Sequence, residues 1–190
     1  MLHKKVFVVL SIFSAMASTT SYANASVVRP ISFQMAASSF GVQEVMFAQM
    51  MIPHHKQAIQ MSKFALANSS NPKVLALARN IIKAQTSEVV RMNRWLKVAK
   101  AGVAGGTHVG MQDMQGMLTD QQLKALGTLK GSKFDRLYLS QMVFHHLGAL
   151  QSVSIIAKSR NIEAKALAAS IKSTQSTEIS VMKSMLAAIK

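Results

Sequence analysis

The stretch that decides the fold is Met50 to Met61, "MMIPHHKQAIQM", read together with its second copy, "QMVFHHLGAL", from Gln141 to Leu150. Four of the six histidines lie in these two pairs. His54 and His145 stand 91 positions apart (145 − 54). A second echo follows each pair. "AQTSEVVRM" (84–92) answers "TQSTEISVM" (174–182), and Gln85, Glu88 and Met92 match Gln175, Glu178 and Met182 at an offset of 90 (178 − 88). Both echoes fall in segments of helical periodicity, so the chain reads as two copies of helix, short turn, helix.

Local punctuation sets the boundaries. Helix one is expected to start near Ser38 or Ser39, either a plausible N-cap, and to run to about Ala67. Pro53 lies inside it and removes a backbone donor, so a kink is expected there. "NSSNP" (68–72) closes this helix and opens the next, with Asn71 as N-cap and Pro72 at the first helical position. Helix two then runs to about Ala101. The glycine-rich segment 102–116 reads as a loop. Thr119 to Gln122 has the form of a capping box and opens a short helix to about Thr128. Ser132, with Asp135 three residues on, is expected to cap helix three, which extends to about Ser159. Arg160-Asn161 makes the second turn, and helix four occupies about 162–188. Strand signals are nearly absent. The expected fold is all-α: a four-helix bundle of two repeated hairpins, 38–101 and 132–190, joined by a Met/Gly-rich connection, 102–131.

The first 25 residues read as a secretory leader. His3, Lys4 and Lys5 precede an apolar run from Val6 to Ala17, and Ala23-Asn24-Ala25 has the small-x-small cleavage pattern. Cleavage before Ser26 leaves a short extension, 26–37, ahead of the bundle, and a periplasmic location. The apolar run is too short for a membrane span, so stable membrane insertion is not expected. An exported chain without cysteine cannot staple itself with disulfides, so packing or metal must hold it. Of its 14 methionines only Met1 and Met16 leave with the leader. The formal charge of +15 arises from 22 basic and 7 acidic residues, scattered without a long run and without interleaved aromatics. That pattern describes a solvated surface, and no nucleic-acid partner is expected.

The chemistry sits on the inward faces. At 100 degrees per residue, Met51, His54, His55 and Ala58 share one face, and Met61 lies one turn beyond. Gln85, Glu88 and Met92 share a face of helix two. Ala58 and Ala149 leave room for the partner helix. An imidazole pair, a carboxylate and several thioethers are thus expected to converge within each hairpin. The second set comprises Met142, His145, His146, Glu178 and Met182. One histidine on an apolar face is usually a hydrogen-bonded core residue, with Glu88 as its partner here. Burying four histidines and two glutamates in matched positions is costly without pairing or a metal.

Elimination points to the metal. Di-iron bundles use Glu-x-x-His, and no glutamate here has a histidine three residues on. Structural zinc favours cysteine-containing sets, and calcium or magnesium wants many oxygens. Imidazole beside thioether suits copper, with Cu(I) favoured by the sulfur and Cu(II) possible. His108, Met111, Met114 and Met117 recur every three residues in the connection, as a soft-ligand clip would. The first pair is expected to carry the stronger site, because Met61 and the Pro53 kink have no counterpart at Ser152 and Phe144.

"MIPHHKQAIQM", "AQTSEVVRMNRWL", "GMLTDQQLKAL" and "FDRLYLSQMVFHHLGAL" resemble the bacterial family called domain of unknown function 305, in the family's own order from about Phe40 to the C-terminus. The resemblance implies a ferritin-like four-helix bundle, exported, with some members binding copper through methionine and histidine. Met51, His54, His55, Met61, Glu88 and Met92 match its pattern in the first half; Met142, His145, His146, Glu178 and Met182 match it in the second. Phe144 and Ser152 depart from it, where proline and methionine are usual. The expected function is sequestration or carriage of copper without catalysis, with the metal ion and another copper-handling protein as partners. The rival expectations are a copper redox enzyme in the bundle interior and a metal-free basic adaptor.

Overall fold

The computed structural model describes residues 40–101 and 114–189. The expected leader, the extension 26–37, Ser38, Ser39, His108 and Met111 lie outside the described residues. Helix α1 (Val42–Asn68) is N-capped by Gly41 with no side-chain hydrogen bond. It therefore begins a few residues later than the two serines suggested. Pro53 is accommodated without ending the helix. Asn71 caps α2 (Pro72–Val98) as expected, its Oδ1 accepting from the Lys73 N–H at 3.0 Å. That helix stops three residues short of Ala101. Lys100 turns left-handed with φ 55°, and the Ala101 N–H closes back on the Leu96 carbonyl at 2.8 Å.

The Thr119–Gln122 capping box is present and opens α3 (Asp120–Thr128), with both reciprocal hydrogen bonds made. The start of α4 (Gly131–Ser152) differs from expectation. Its N-cap is Lys130, without a side-chain bond, and Gly131 takes the left-handed φ of 58° that the entry turn needs. Ser132 is therefore inside the first turn. Helix three is also interrupted: α4 ends at Ser152 and a single turn, α5 (Ser154–Ala157), follows. The Ser152 hydroxyl donates to the Gly148 carbonyl at 3.2 Å and the Ser154 hydroxyl to the Gln151 carbonyl at 2.8 Å. Such back-bonding competes with the helical ladder where the break occurs. Asn161 then caps α6 (Ile162–Ala188), accepting from the Ala164 N–H at 3.1 Å.

α1 packs on α2, and α4 and α5 pack on α6; α1 also lies against α4, with α3 across both. The result is an all-helical bundle of two hairpins. Glu163 ties them together at one end, accepting from the Trp95 indole N–H at 3.0 Å and from Arg94. The core falls into two apolar clusters. One takes Ala58, Met61 and Ala65 of α1, Val74 to Ile81 of α2, Phe134 to Met142 of α4, and Ile179 and Met182 of α6. The other takes Phe47 to Ile52 of α1, Met92 to Leu96 of α2, Ala149 and Val153, and Ala164 to Ile171 of α6. Between them on every long helix lie the polar inward residues. Each fully buried large apolar side chain contributes roughly 1.5–3 kcal/mol. A buried polar group left unpaired costs about 1–3 kcal/mol. Two apolar layers can therefore carry one costly polar layer between them.

Candidate metal centre

The polar layer contains His54 and His55 from α1, Gln85 and Glu88 from α2, His145 and His146 from α4, and Gln175 and Glu178 from α6, all buried. The helical phase read from sequence explains their inward placement. The pairing differs from the expectation. Each hairpin joins one of its two histidines to its glutamate: His55 Nε2 donates to Glu88 Oε2, and His146 Nε2 donates to Glu178 Oε2, both at 2.7 Å. The other two cross between hairpins. The His54 and His145 rings lie against each other, with centroids 3.7 Å apart and planes tilted by 35°. The two histidine pairs thus form one central cluster, not two separate ones.

An ionised carboxylate only accepts, so the His–Glu pairs fix the proton on Nε2 and leave an Nδ1 lone pair on His55 and His146. Both Nδ1 atoms are buried without a partner among the described residues. The same holds for both nitrogens of His54 and His145 and for both amide atoms of Gln85 and Gln175. Burial, and then the neighbouring imidazoles, hold the His54 pKa well below the usual 6.5, with the nearby Gln115 backbone opposing weakly. His145 is lowered likewise, by burial first and then by His54, His146 and His55. Neutral imidazoles with free lone pairs are what a metal requires. Tyr138, whose hydroxyl meets Ser62 Oγ at 3.0 Å, has its pKa raised by burial, with Glu178 adding to the rise.

The thioethers flank this layer on both sides. Met51 and Met92 are fully buried in one apolar cluster; Met61, Met142 and Met182 are fully buried in the other. Met61 therefore joins the methionines of the second hairpin, since the helices run antiparallel. Counting it toward the first pair alone does not fit the fold. Met114 is partly buried against the Met51–Met92 cluster, and Met117 is also half-buried. Among the described residues no three His, Asp or Glu side chains already surround a point that could hold a metal. Sharing an ion requires side chains of this layer to rearrange so that their lone pairs meet at one point. The donor types fit a soft metal, and the resting geometry is closed.

Sequence reasoning missed a contact over this layer. Gln57 Nε2 donates to the Leu118 carbonyl at 2.9 Å, and the Leu118 N–H donates to Gln57 Oε1 at 2.8 Å. Gln57 belongs to the same quoted motif as the histidines, but its partner is a backbone peptide in the connection and leaves no periodic signal.

Comparison with known proteins follows the same lines. The family profile "Domain of unknown function (DUF305)" matches residues 44–186. A DUF305 protein from Streptomyces coelicolor, described as secreted, has a TM-score of 0.70 and 29% identity, over 76% of this chain and 91% of that one. A DUF305 fragment from Deinococcus radiodurans has a TM-score of 0.71 at 29% identity, over 77% and 97%. CopM in its Cu(I)-bound form has a TM-score of 0.63 and 33% identity, over 75% and 94%, and CopM is also solved bound to Cu(II). A protein of Acanthamoeba polyphaga mimivirus is 42% identical over 50 residues, which span 26% of this chain and 33% of that relative. The chain belongs to the domain of unknown function 305 family.

Proposed function

We infer that the protein is an exported copper-binding protein, which sequesters or carries copper, mainly as Cu(I), between its histidine layer and the flanking methionines. The observation that carries this reading is the set of buried, unpartnered imidazole nitrogens at the centre of the bundle. Such groups are costly to bury, and a cation that accepts their lone pairs offsets the cost. His54, His55, His145 and His146 supply nitrogen; Met51, Met92, Met61, Met142 and Met182 supply soft sulfur from the two flanking apolar clusters. Glu88 and Glu178 orient His55 and His146 through hydrogen bonds of 2.7 Å. CopM, similar in sequence and fold, is solved with copper bound, which supports the same cargo here. Met114 and Met117, both half-buried, offer further thioethers to a soft ion. The role is carriage without catalysis, in the periplasm, handing copper to or from another copper-handling protein. Among the described residues no helix is long and apolar enough to cross a membrane.

Metal competition tests the reading. With purified protein and chelators of known affinity, Cu(I) is expected to bind more tightly than Zn(II), and removing all four central histidines should abolish the preference. Equal or better zinc affinity in the intact protein counts against copper as the cargo.

A further inference from the structure

We propose that Met114–Leu118 is a strap that closes the histidine layer, latched by Gln57 on one side and seated on Gly148 on the other, so that these two residues set how fast a soft cation reaches His54 and His145. The inference rests on the copper reading above for its cargo and on geometry for the strap. Met114 packs on one apolar cluster and Leu118 belongs to the other, so the chain between them crosses the polar layer. The crossing is a tight turn, with the Met117 N–H donating to the Met114 carbonyl at 3.2 Å and Gly116 left-handed at φ 92°.

Both edges of the strap are specific. On the α1 side, the two hydrogen bonds from Gln57 satisfy both halves of the Leu118 backbone, three residues from His54 along the sequence. On the α4 side, a Cβ placed on Gly116 would lie 2.9 Å from His145 Cα and 2.8 Å from its carbonyl oxygen. A Cβ on Gly148 would lie 1.7 Å from the Gln115 carbonyl oxygen, so any residue but glycine there lifts the strap. Gly148 sits in mid-helix, where glycine is otherwise unfavourable; the close approach of Gln115 accounts for it. The strap also carries Met114, packed on the Met51–Met92 cluster, and the half-buried Met117, which gives an incoming Cu(I) a thioether at each end of the crossing.

Gln57 is a positioning residue in this scheme, and its effect separates from a ligand's. Two variants, Gln57→Leu and Gly148→Ala, loosen the strap from opposite edges without deleting any proposed ligand side chain. The first readout needs no copper: diethylpyrocarbonate acylation of His54 and His145 in metal-free protein, located by peptide mass spectrometry. Both variants should raise that rate about tenfold or more, because the loss of either anchor favours the opened strap. The second readout is transfer of Cu(I) from a chelator, where both variants should speed uptake and release together and leave the competition affinity nearly unchanged. Gln57→Glu keeps the acceptor for the Leu118 N–H and should fall between wild type and Gln57→Leu. Unchanged acylation in both variants overturns the proposal. A fall in affinity without faster exchange also overturns it, since that marks a structural role. If acylation rises but even the wild-type protein takes up no Cu(I), the strap stands and the copper reading fails.

Discussion

Acidifying the metal-free protein puts the histidine layer under a load whose size follows from the structure. The His54 and His145 rings lie against each other, have nitrogens without hydrogen-bond partners among the described residues, and have pKa values pushed well below 6.5 by burial and then by neighbouring imidazoles. The unfolded chain takes up a proton on each near pH ~6.5, whereas the folded chain does not until it is more acidic. Below that pH the unfolded state therefore holds two more protons, and stability falls as pH falls. The loss stops only after the folded-state pKa values are passed. Linkage gives about 1.36 kcal/mol per pH unit for each proton, so roughly 2.7 kcal/mol per unit for the two rings at the steepest point. The assay is urea unfolding followed by circular dichroism, from neutral to mildly acid pH, with a chelator present to exclude metal. The His54→Leu, His145→Leu double variant removes both groups and should lose most of that slope. A wild-type stability that is flat over this window refutes the reasoning. So does a slope that the double variant keeps in full.

Three further outcomes are expected. Met142→Leu with Met182→Leu conserves volume, so each change should cost under about 1.5 kcal/mol in unfolding experiments, while Cu(I) affinity falls about tenfold; unchanged affinity makes these two thioethers core filler only. Glu163→Ala strips the buried Trp95 indole N–H of its acceptor and should lower unfolding stability by about 1–3 kcal/mol; no shift in the denaturant midpoint shows that the two hairpins do not depend on this tie. Mass spectrometry of protein recovered from the export compartment should find Ser26 at the N-terminus, and an intact Met1 overturns the leader assignment.

Much of this was legible in the sequence, for a definite reason. Gln85, Glu88 and Met92 repeat in phase at Gln175, Glu178 and Met182, and a buried helical face has to keep that phase. Asn71, Pro72 and Thr119 announce helix starts through side-chain chemistry that is local, and the structure uses all three. Gly41 and Lys130 begin helices with no side-chain bond at all, so the serines nearby were misleading. The break at Val153 coincides with hydroxyls bonding back to the preceding turn, yet α6 carries three such bonds unbroken, so no sequence signal marks the interruption. The central ring contact was beyond reach because periodicity gives the face a residue occupies, not the level at which antiparallel helices meet. The same limit hid that Met61 shares its apolar cluster with Met142 and Met182 of the second hairpin. Gly148 was silent as well: it acts through a missing side chain, and the backbone that needs the space lies in the connection.

The central claim is that the two histidine pairs build one copper site. Cu(I) competition against a chelator of known affinity, run on His54→Ala with His55→Ala and on His145→Ala with His146→Ala, tests it directly. Circular dichroism on the same samples establishes that both variants remain helical. Because His54 and His145 are in contact and the thioethers flank them on both sides, the two double variants should lose affinity by closely similar factors, and wild type should bind through a single tight phase. A large loss from one pair beside a negligible loss from the other contradicts the shared site, and no loss from either contradicts copper binding in the bundle core.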